Sequence, residues 1–235
     1  MPTAAEPFGV VRDRAVYLPE SECLIAADLH LGKAAASAVD APLDGGPAMV
    51  QRLAELVDRF EPAELVLAGD VLHAFGFVPE AARDALDDLA ERTAAADAEL
   101  VLVEGNHDTL LGSLTDIEPT PAHGLADGTI VCHGHEYPER TGERYVVGHD
   151  HPVIEIEGRR RPCYLYGAHA RDGAAVLGLP SFNPAVRGTA VNRWADGDPL
   201  SPFLSTVTDF QPVVWDADAN EPLVFPPLGS LQAYL

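Results

Sequence analysis

The stretch ELVLAGDVLHAFG, residues 64–76, runs from an apolar segment into a glycine-rich turn that carries a carboxylate, Asp70, and an imidazole, His73. The apolar segment has the length and composition of a buried strand. Taken alone, the turn has an ordinary explanation, because aspartate commonly begins turns and histidine is tolerated in loops. Whether these polar side chains have a function depends on what ends the other strands of the chain.

Strands and helices alternate in the first half of the chain, which is typical of an α/β fold with parallel strands. Apolar residues at helical spacing predict one helix over 46–60 and a second over 79–96, each with a proline near its start. Strands are predicted within 21–30, 63–70 and 98–108, before, between and after the two helices.

The second half is predicted to consist mainly of strands, because short apolar stretches alternate with glycine and proline turns. Many of these strands are expected to be antiparallel. We predict that two sheets, one from each half, pack face to face with helices outside. The tail from Asp196 onward is expected to add edge strands and loops.

The charge of the chain is strongly negative, with 37 acidic residues against 15 lysine and arginine residues and a formal net charge of −22. Lys33 is the one lysine, and the acids are scattered along the chain. A solvated acidic surface of this kind is typical of proteins that work in high salt, so we expect a halophilic host. The usual sequence test for nucleic-acid binding, a basic face, is therefore uninformative.

Membrane insertion and secretion are not indicated by the sequence. No apolar run approaches the ~20 residues that span a bilayer, and the N-terminal residues lack the pattern of a secretory signal. We therefore expect a cytoplasmic protein with no membrane partner. Three widely spaced cysteines disfavour a disulfide framework, and Cys132 is expected to be a buried structural thiol.

Histidine, aspartate and asparagine cluster at the ends of five predicted strands. Ligands gather at the carboxyl ends of strands in open α/β sheets, so we expect the clusters to converge in one cleft. The clusters are Asp28 and His30; Asp70 and His73; Asn106, His107 and Asp108; His133 and His135; and His149 and His151.

The chemistry of these clusters suits divalent metals. Carboxylate and amide oxygens with imidazole nitrogens are typical ligands of Mn, Fe or Zn. No cysteine lies among them, which disfavours a structural zinc site. The donors are too many for one ion and suit two ions that share a carboxylate. Two metals ~3.5–4 Å apart clamp the attacking and leaving oxygens of a displacement at phosphorus.

The order D-x-H, G-D, G-N-H-D, H and G-H-x-H resembles the signature of the calcineurin-like metallophosphoesterases. The resemblance implies an α/β fold, a four-layer α-β-β-α sandwich of two mixed sheets flanked by helices. It also implies a single domain over 1–235, with a catalytic core at about 22–152 and completing strands and loops in 153–235. Within the family, the chain is most similar to the archaeal SbcD-related and ligase-associated phosphoesterases.

The resemblance further implies a role for each residue. A water bridging the two metals would be the nucleophile. His107 would contact the phosphate and protonate or stabilise the leaving oxygen, and Asp108 would orient His107. The cations are expected to be Mn²⁺, with Fe, Zn or Ni as alternatives. One metal would be held by Asp28, His30, Asp70 and His151, and the other by Asp70, Asn106, His133 and His149.

Several basic or imidazole side chains have two interpretations. His73 is equally consistent with a contact to the metal ligands or the substrate and with a loop histidine. His135 is expected to lie outside the metal set, and Lys33 to be a surface residue. The run Arg159, Arg160 and Arg161 is by default a solvated loop, and alternatively guides an anionic substrate.

The sequence thus predicts an enzyme, a dinuclear metal-dependent phosphodiesterase or nuclease-like hydrolase. Its substrate would be a phosphate ester, in particular a nucleotide or nucleic acid. A phosphomonoesterase and a non-catalytic metal-binding scaffold are the alternatives. The sequence leaves the oligomeric state open, a homodimer included.

Overall fold

The computed structural model describes residues 8–33, 46–73, 76–193, 201–204 and 207–231. Its strands are β1 (Val10–Arg12), β2 (Ala15–Leu18), β3 (Cys23–Ala26), β4 (Glu64–Ala68), β5 (Glu99–Val103), β6 (Ala122–Gly124), β7 (Thr129–Cys132), β8 (Arg144–Val147), β9 (Pro152–Ile156), β10 (Arg159–Pro162), β11 (Tyr164–Arg171), β12 (Ala174–Gly178), β13 (Thr189–Ala190), β14 (Gln211–Asp216) and β15 (Glu221–Val224). The α-helices are α1 (Gly46–Phe60), α2 (Glu80–Ala95) and α3 (Leu228–Leu231). Short 3-10 helices lie at Leu111–Ser113, Val191–Arg193, Pro202–Leu204 and Val207–Asp209.

The first half of the chain forms a five-stranded sheet in the order β1-β2-β3-β4-β5. Strands β3, β4 and β5 are parallel, with α1 and α2 as the connections between them, so their carboxyl ends lie along one edge. The predicted alternation of strands and helices is confirmed. Strands β1 and β2 add an antiparallel hairpin that we did not predict.

The second half forms a seven-stranded sheet in the order β15-β14-β11-β12-β8-β7-β6. Strand β8 pairs in parallel with β7 on one side and β12 on the other, while the outer pairs are antiparallel. The prediction that many of these strands are antiparallel is therefore confirmed by the outer pairs, while the parallel centre was not predicted. The parallel centre is buried on both faces, which explains its continuous apolar runs TIVC, YVV and AVLG.

The two sheets pack face to face through the alternate residues of their central strands. Ile25 and Val66 of the first sheet share one buried cluster with Val131 and Val146 of the second. The intervening residues of the first sheet, such as Leu65, pack on α1 and α2. Since successive strand residues point to opposite faces, each apolar strand contributes side chains to two buried clusters, one on each face of its sheet.

The outer face of the seven-stranded sheet is covered differently from that of the first. A three-stranded sheet in the order β10-β9-β13 and the short helices near the C-terminus pack there, in one buried cluster with Cys132 and Val147. The four-layer sandwich is thus present, with long helices on one outer side. Cys132 is a buried free thiol, as predicted. Residues 196–200, where the predicted tail begins, lie outside the described residues, while β14 and β15 form the sheet edge expected of it.

Both predicted long helices are confirmed with nearly the predicted ends. The buried face of α1 consists of Met49, Val50, Leu53, Leu56 and Val57. Their spacing of three and four residues places them on one side of the helix, which packs on the first sheet. In the described part of the chain, no helix combines the length and the apolar character that crossing a bilayer requires.

Candidate metal centre

The polar clusters follow strands whose carboxyl ends lie on one edge of the sandwich. Asp28 and Asp70 follow β3 and β4 of the first sheet, while His133 and His149 follow β7 and β8 of the second. The backbone N–H of His149 donates to the Asp28 carboxylate at 3.1 Å, so the edges of the two sheets touch here. Two of the predicted clusters therefore meet at this point.

Asp28, His30 and His151 form the first group of candidate ligands. His151 Nε2 lies 3.1 Å from Asp28 Oδ1 and 3.3 Å from His30 Nε2. His30 Nε2 is also 3.9 Å from Asp70 Oδ2. Two donors that each lie ~2.1 Å from one ion at near-octahedral or tetrahedral angles are about 3.0–3.4 Å apart. The separations around His151 match that spacing.

His133 is the centre of a second group. Its Nε2 atom lies 3.0 Å from Asn106 Oδ1, 3.1 Å from His149 Nδ1 and 3.5 Å from Asp70 Oδ1. Its Nδ1 atom is 3.3 Å from the carbonyl oxygen of Ala68, so an N–H there can donate to that oxygen. That contact favours the tautomer with a lone pair on Nε2, which a metal ligand needs.

Asp70 is shared between the two groups. Its Oδ1 atom faces His133 and its Oδ2 atom faces His30, so one carboxylate offers one oxygen to each side. Asp28 also lies near both groups, because its Oδ1 atom is 3.7 Å from His133 Nδ1. A carboxylate between two sets of donors is the arrangement that two neighbouring cations require.

The electrostatics of the site fit divalent cations. Burial raises the pKa of Asp70 to about 7, and the nearby Asp28 and Asp108 add to the increase. Among the described residues, no lysine or arginine forms an ion pair with Asp28 or Asp70. Burial lowers the pKa of His133 to about 4, which keeps this imidazole neutral, the form that binds metals. A cation would compensate two buried carboxylates that have no other permanent positive charge.

Five of the seven candidate ligands have a strained backbone. A positive φ is uncommon outside glycine and costs on the order of 1–3 kcal/mol for each such residue. Strain of this kind persists where the surrounding structure requires a particular side-chain direction. The candidate ligands with positive φ are Asp28 (58°), His30 (46°), Asp70 (48°), His149 (71°) and His151 (46°).

The predicted catalytic residues follow β5. The backbone N–H of His107 donates to Asp70 Oδ1 at 3.0 Å, and its Nε2 atom lies 3.8 Å from Asp70 Oδ2. The His107 side chain is 28% exposed, which leaves it accessible to a substrate. His73 lies nearby, with ring centroids 5.4 Å from His30 and 5.9 Å from His107.

Asp108 contacts the backbone rather than an imidazole in the hydrogen bonds that the structure gives it. Its carboxylate accepts from the N–H groups of Leu72 at 2.8 Å, Gly105 at 2.9 Å and Val71 at 3.1 Å. These bonds connect the loop after β4, which carries Asp70, to the loop after β5, which carries His107. Asp108 therefore determines how the two loops are placed relative to one another.

Replacing Asp108 by asparagine is expected to destabilise the fold. One carboxylate oxygen becomes an NH₂ group that faces a backbone N–H, so buried hydrogen bonds are lost. We expect the free energy of unfolding to fall by about 2 kcal/mol. Urea denaturation measures the change, and Asp87→Asn on the exposed face of α2 is the control, expected within ~0.5 kcal/mol of the unaltered chain. Equal stability of the two variants would contradict the tethering role.

Gly105 allows the two loops to approach. A Cβ atom added there would meet the backbone N and Oδ1 atoms of Asp70, and backbone cannot move away as a flexible side chain can. We expect Gly105→Ala to lower the affinity for Mn²⁺ by about tenfold or more, since it displaces a candidate ligand. Gly112→Ala is the control, because its Cβ would lie an ordinary 3.7 Å from Pro119. Calorimetric titration with Mn²⁺ measures both, and similar affinities would refute the prediction.

Two residues that the sequence analysis missed support the metal centre by hydrogen bonds to the backbone of the loop after β3. The Ser181 hydroxyl donates to the carbonyl oxygen of Asp28 at 2.8 Å, and Asn183 donates to that of Leu29 at 2.9 Å. Both are buried and follow β12, the strand beside β8. The same signal, polar residues directly after an apolar strand, was present in LGLPSFN, residues 177–183.

His135 lies at the edge of the second group. Its ring centroid is 5.3 Å from that of His133, and its Nε2 atom is 3.8 Å from Glu136 Oε1. It lines a cavity of about 490 Å³ together with His133 and Gly105. Its placement outside the tight donor groups is consistent with its exclusion from the predicted metal set.

Comparisons with known proteins place the chain among enzymes that hydrolyse phosphate esters. The family model described as calcineurin-like phosphoesterase matches residues 23–167, which contain every candidate ligand. The structure is similar to the nuclease MPE of Pseudomonas putida, with a TM-score of 0.63 and 25% identity over 90% of this chain and 92% of that chain. It is also similar to Yfce, a phosphoesterase from E. coli, with a TM-score of 0.47 and 16% identity over 86% and 96%. Comparison with curated proteins finds no match.

Proposed function

Because the chain belongs to the calcineurin-like phosphoesterase family and is a hydrolase acting on phosphoric esters, we propose that it cleaves phosphodiesters with two divalent cations, preferably Mn²⁺. The observation that carries this proposal is the position of Asp70. One of its oxygens lies 3.5 Å from His133 and the other 3.9 Å from His30, between two separate sets of donors.

Seven residues are assigned to the two cations. The first set combines a carboxylate with two imidazoles, and the second combines an amide oxygen with two imidazoles, so both suit ions of intermediate hardness. Asp70 completes each set. The first set is Asp28, His30 and His151, and the second is Asn106, His133 and His149.

Residues of the chain itself supply the proton for the leaving oxygen and the positioning of the groups that react. Two divalent cations supply charge neutralisation at the phosphate and make water acidic enough to attack near neutral pH. His107 donates a proton to the leaving oxygen, which its partial exposure beside Asp70 allows. Asp108 acts through the backbone, by fixing the loop that carries His107. Precise placement matters because phosphoryl transfer depends mainly on positioning and charge stabilisation.

A diester is favoured over a monoester by the similarity to a nuclease over nine tenths of both chains. The presence of His107 beside the metal ligands favours catalysis over a scaffold role, because metal binding alone does not need it. A nucleic acid or nucleotide is therefore the proposed substrate class.

Hydrolysis of matched chromogenic substrates tests the proposal. The metal-stripped protein is assayed with bis-p-nitrophenyl phosphate and with p-nitrophenyl phosphate, before and after addition of Mn²⁺. The assays include high salt, because the chain carries a net charge of −22. We expect activity that needs Mn²⁺ and a higher kcat/KM for the diester. A preference for the monoester would replace the diester proposal, and full activity in the stripped protein would refute the metal mechanism.

A further inference from the structure

Four arginines line a cavity of about 340 Å³ that the proposed chemistry does not use. They are Arg14 from the turn between β1 and β2, Arg52 from α1, and Arg160 and Arg161 from β10. The chain has only 15 lysine and arginine residues against 37 acidic ones, so this concentration of positive charge is unusual. The arginines come from segments that are far apart in the sequence, so no single stretch indicates that they lie together.

Carboxylates offset the positive charge of the cavity only in part, through the attraction of Asp13 and Glu55 for Arg52. None of the four guanidinium groups forms an ion pair with any residue that the structure describes. Asp13 is the one acidic residue of the lining, and its carboxylate pairs with Arg12 at 3.2 Å. Burial together with the charge of Arg52 lowers the pKa of Arg14 to about 10, so these two groups repel one another.

Backbone carbonyl groups hold the arginines in place instead. Arg14 donates to the carbonyl oxygen of Ser181 at 3.0 Å, and Arg160 donates to that of Gly188 at 3.0 Å. The buried Nε atom of Arg160 has no hydrogen-bond partner within the described ranges. Arg14 and Arg160 are thus oriented by neutral acceptors, which leaves their positive charge available to an anion.

Arg14 also has a strained backbone. Asp13 and Arg14 form a two-residue turn with φ of 46° and 72°. Such turns favour asparagine and glycine, and a long side chain is rare there. Strain of this kind persists at positions that serve a function.

The arginine cavity and the metal centre share a wall. Ser181 accepts from Arg14 through its carbonyl group and donates to the carbonyl of Asp28 through its hydroxyl. Further along the same segment, Gly188 accepts from Arg160, and the next N–H, of Thr189, donates to the carbonyl of His151. The cavity therefore lies beside the first set of metal ligands.

We propose that the arginine cavity binds a phosphate of the substrate other than the one that is hydrolysed, so that the substrate is a strand with several phosphodiesters. This inference rests on the proposed function. Guanidinium groups suit the recognition because their planar donors pair with two phosphate oxygens at once. A small diester has no second phosphate and gains nothing from the cavity.

Binding of a strand to arginine variants tests the inference. The probe is octathymidylate with phosphorothioate linkages, which keeps every backbone charge and resists cleavage, and it is added to the Mn²⁺-loaded full chain. Arg161→Ala removes an exposed arginine of the cavity, and Arg160→Ala removes a half-buried one. Arg159→Ala is the matched control, since Arg159 lies on the same strand and is not part of the lining. Tryptophan fluorescence reports occupancy, because Trp215 lines the cavity.

We expect both cavity variants to weaken strand binding by about tenfold and the control to stay within about twofold. Hydrolysis of bis-p-nitrophenyl phosphate should stay unchanged in all three. The dependence of affinity on salt should become shallower in the cavity variants alone, by roughly 0.7 in logarithmic slope for each phosphate that an arginine no longer neutralises.

Three results would overturn the inference. They are equal weakening in the control and cavity variants, no binding of the strand by the unaltered chain, and binding of inorganic phosphate in the cavity as tightly as the strand. Failure of the proposed function gives a different result. The unaltered chain would then hydrolyse no diester, but strand binding by the cavity variants could still be compared with binding by the control.

Discussion

Asp70→Asn is expected to reduce phosphodiester hydrolysis by more than about 100-fold. Removing a group that only supports a metal ligand typically lowers metal affinity or activity by about 10–100-fold, and removing a ligand itself costs more. The substitution removes a negative charge and replaces one of two oxygens with an NH₂ group, which is not a metal ligand. Since each oxygen faces a different donor set, one cation loses a ligand atom, and the loss of charge weakens the binding of both. Metal content after dialysis and kcat/KM for bis-p-nitrophenyl phosphate measure the effect.

A matched control separates this effect from backbone strain. Asp172 is exposed and has a φ of 49°, nearly the same as the 48° of Asp70. Asp172→Asn makes the same chemical change at the same backbone conformation, far from the candidate ligands in sequence. It should keep the activity and the metals of the unaltered chain. Activity near normal in Asp70→Asn, with two cations retained, would rule out the shared carboxylate.

His107→Ala is expected to lower kcat by roughly 10²–10⁴-fold, the range for loss of a general acid. The loss should be smaller for bis-p-nitrophenyl phosphate than for an oligonucleotide, because p-nitrophenolate leaves without protonation. Two cations should stay bound, since His107 belongs to neither donor set. The exposed His169 offers a control, and His169→Ala should have normal kinetics.

The dependence on the leaving group distinguishes proton donation from other roles of His107. An equal loss for both substrates would indicate that His107 binds the phosphate instead. Loss of metals in His107→Ala would indicate that it supports the ligands through Asp70, which its Nε2 atom approaches to 3.8 Å.

The convergence of the candidate ligands was predictable because strand ends can be recognised locally. Runs such as ELVLA before Asp70 predict buried parallel strands, and parallel strands bring their carboxyl ends to one edge. The same reasoning located His133 and His149 after β7 and β8, even though the pairing of those two strands was not predicted to be parallel.

Features that depend on contacts between distant segments were not predictable. The carboxylate of Asp108 accepts from Val71 and Leu72, 37 and 36 residues away, and nothing in G-N-H-D indicates those partners. The arginine cavity combines Arg14, Arg52 and Arg160 from three separate elements. The outer layer of the second sheet combines short helices with a hairpin of β9 and β10, and that hairpin was not predicted.

Some sequence-based expectations remain predictions. They are the single-domain boundaries, the preference for Mn²⁺, the halophilic host, the cytoplasmic location and the similarity to the SbcD-related group. The ion content of the purified protein tests the preference for Mn²⁺. The salt dependence of its unfolding tests the halophilic host.

Titration of Mn²⁺ into the metal-stripped full chain, with metal content and diester hydrolysis measured on the same samples, tests the shared-carboxylate centre. The two donor sets joined by Asp70 predict that activity reaches its maximum when two cations are bound per chain, and that chelation reverses it. Maximal activity with one cation per chain, or with none, would contradict the dinuclear centre.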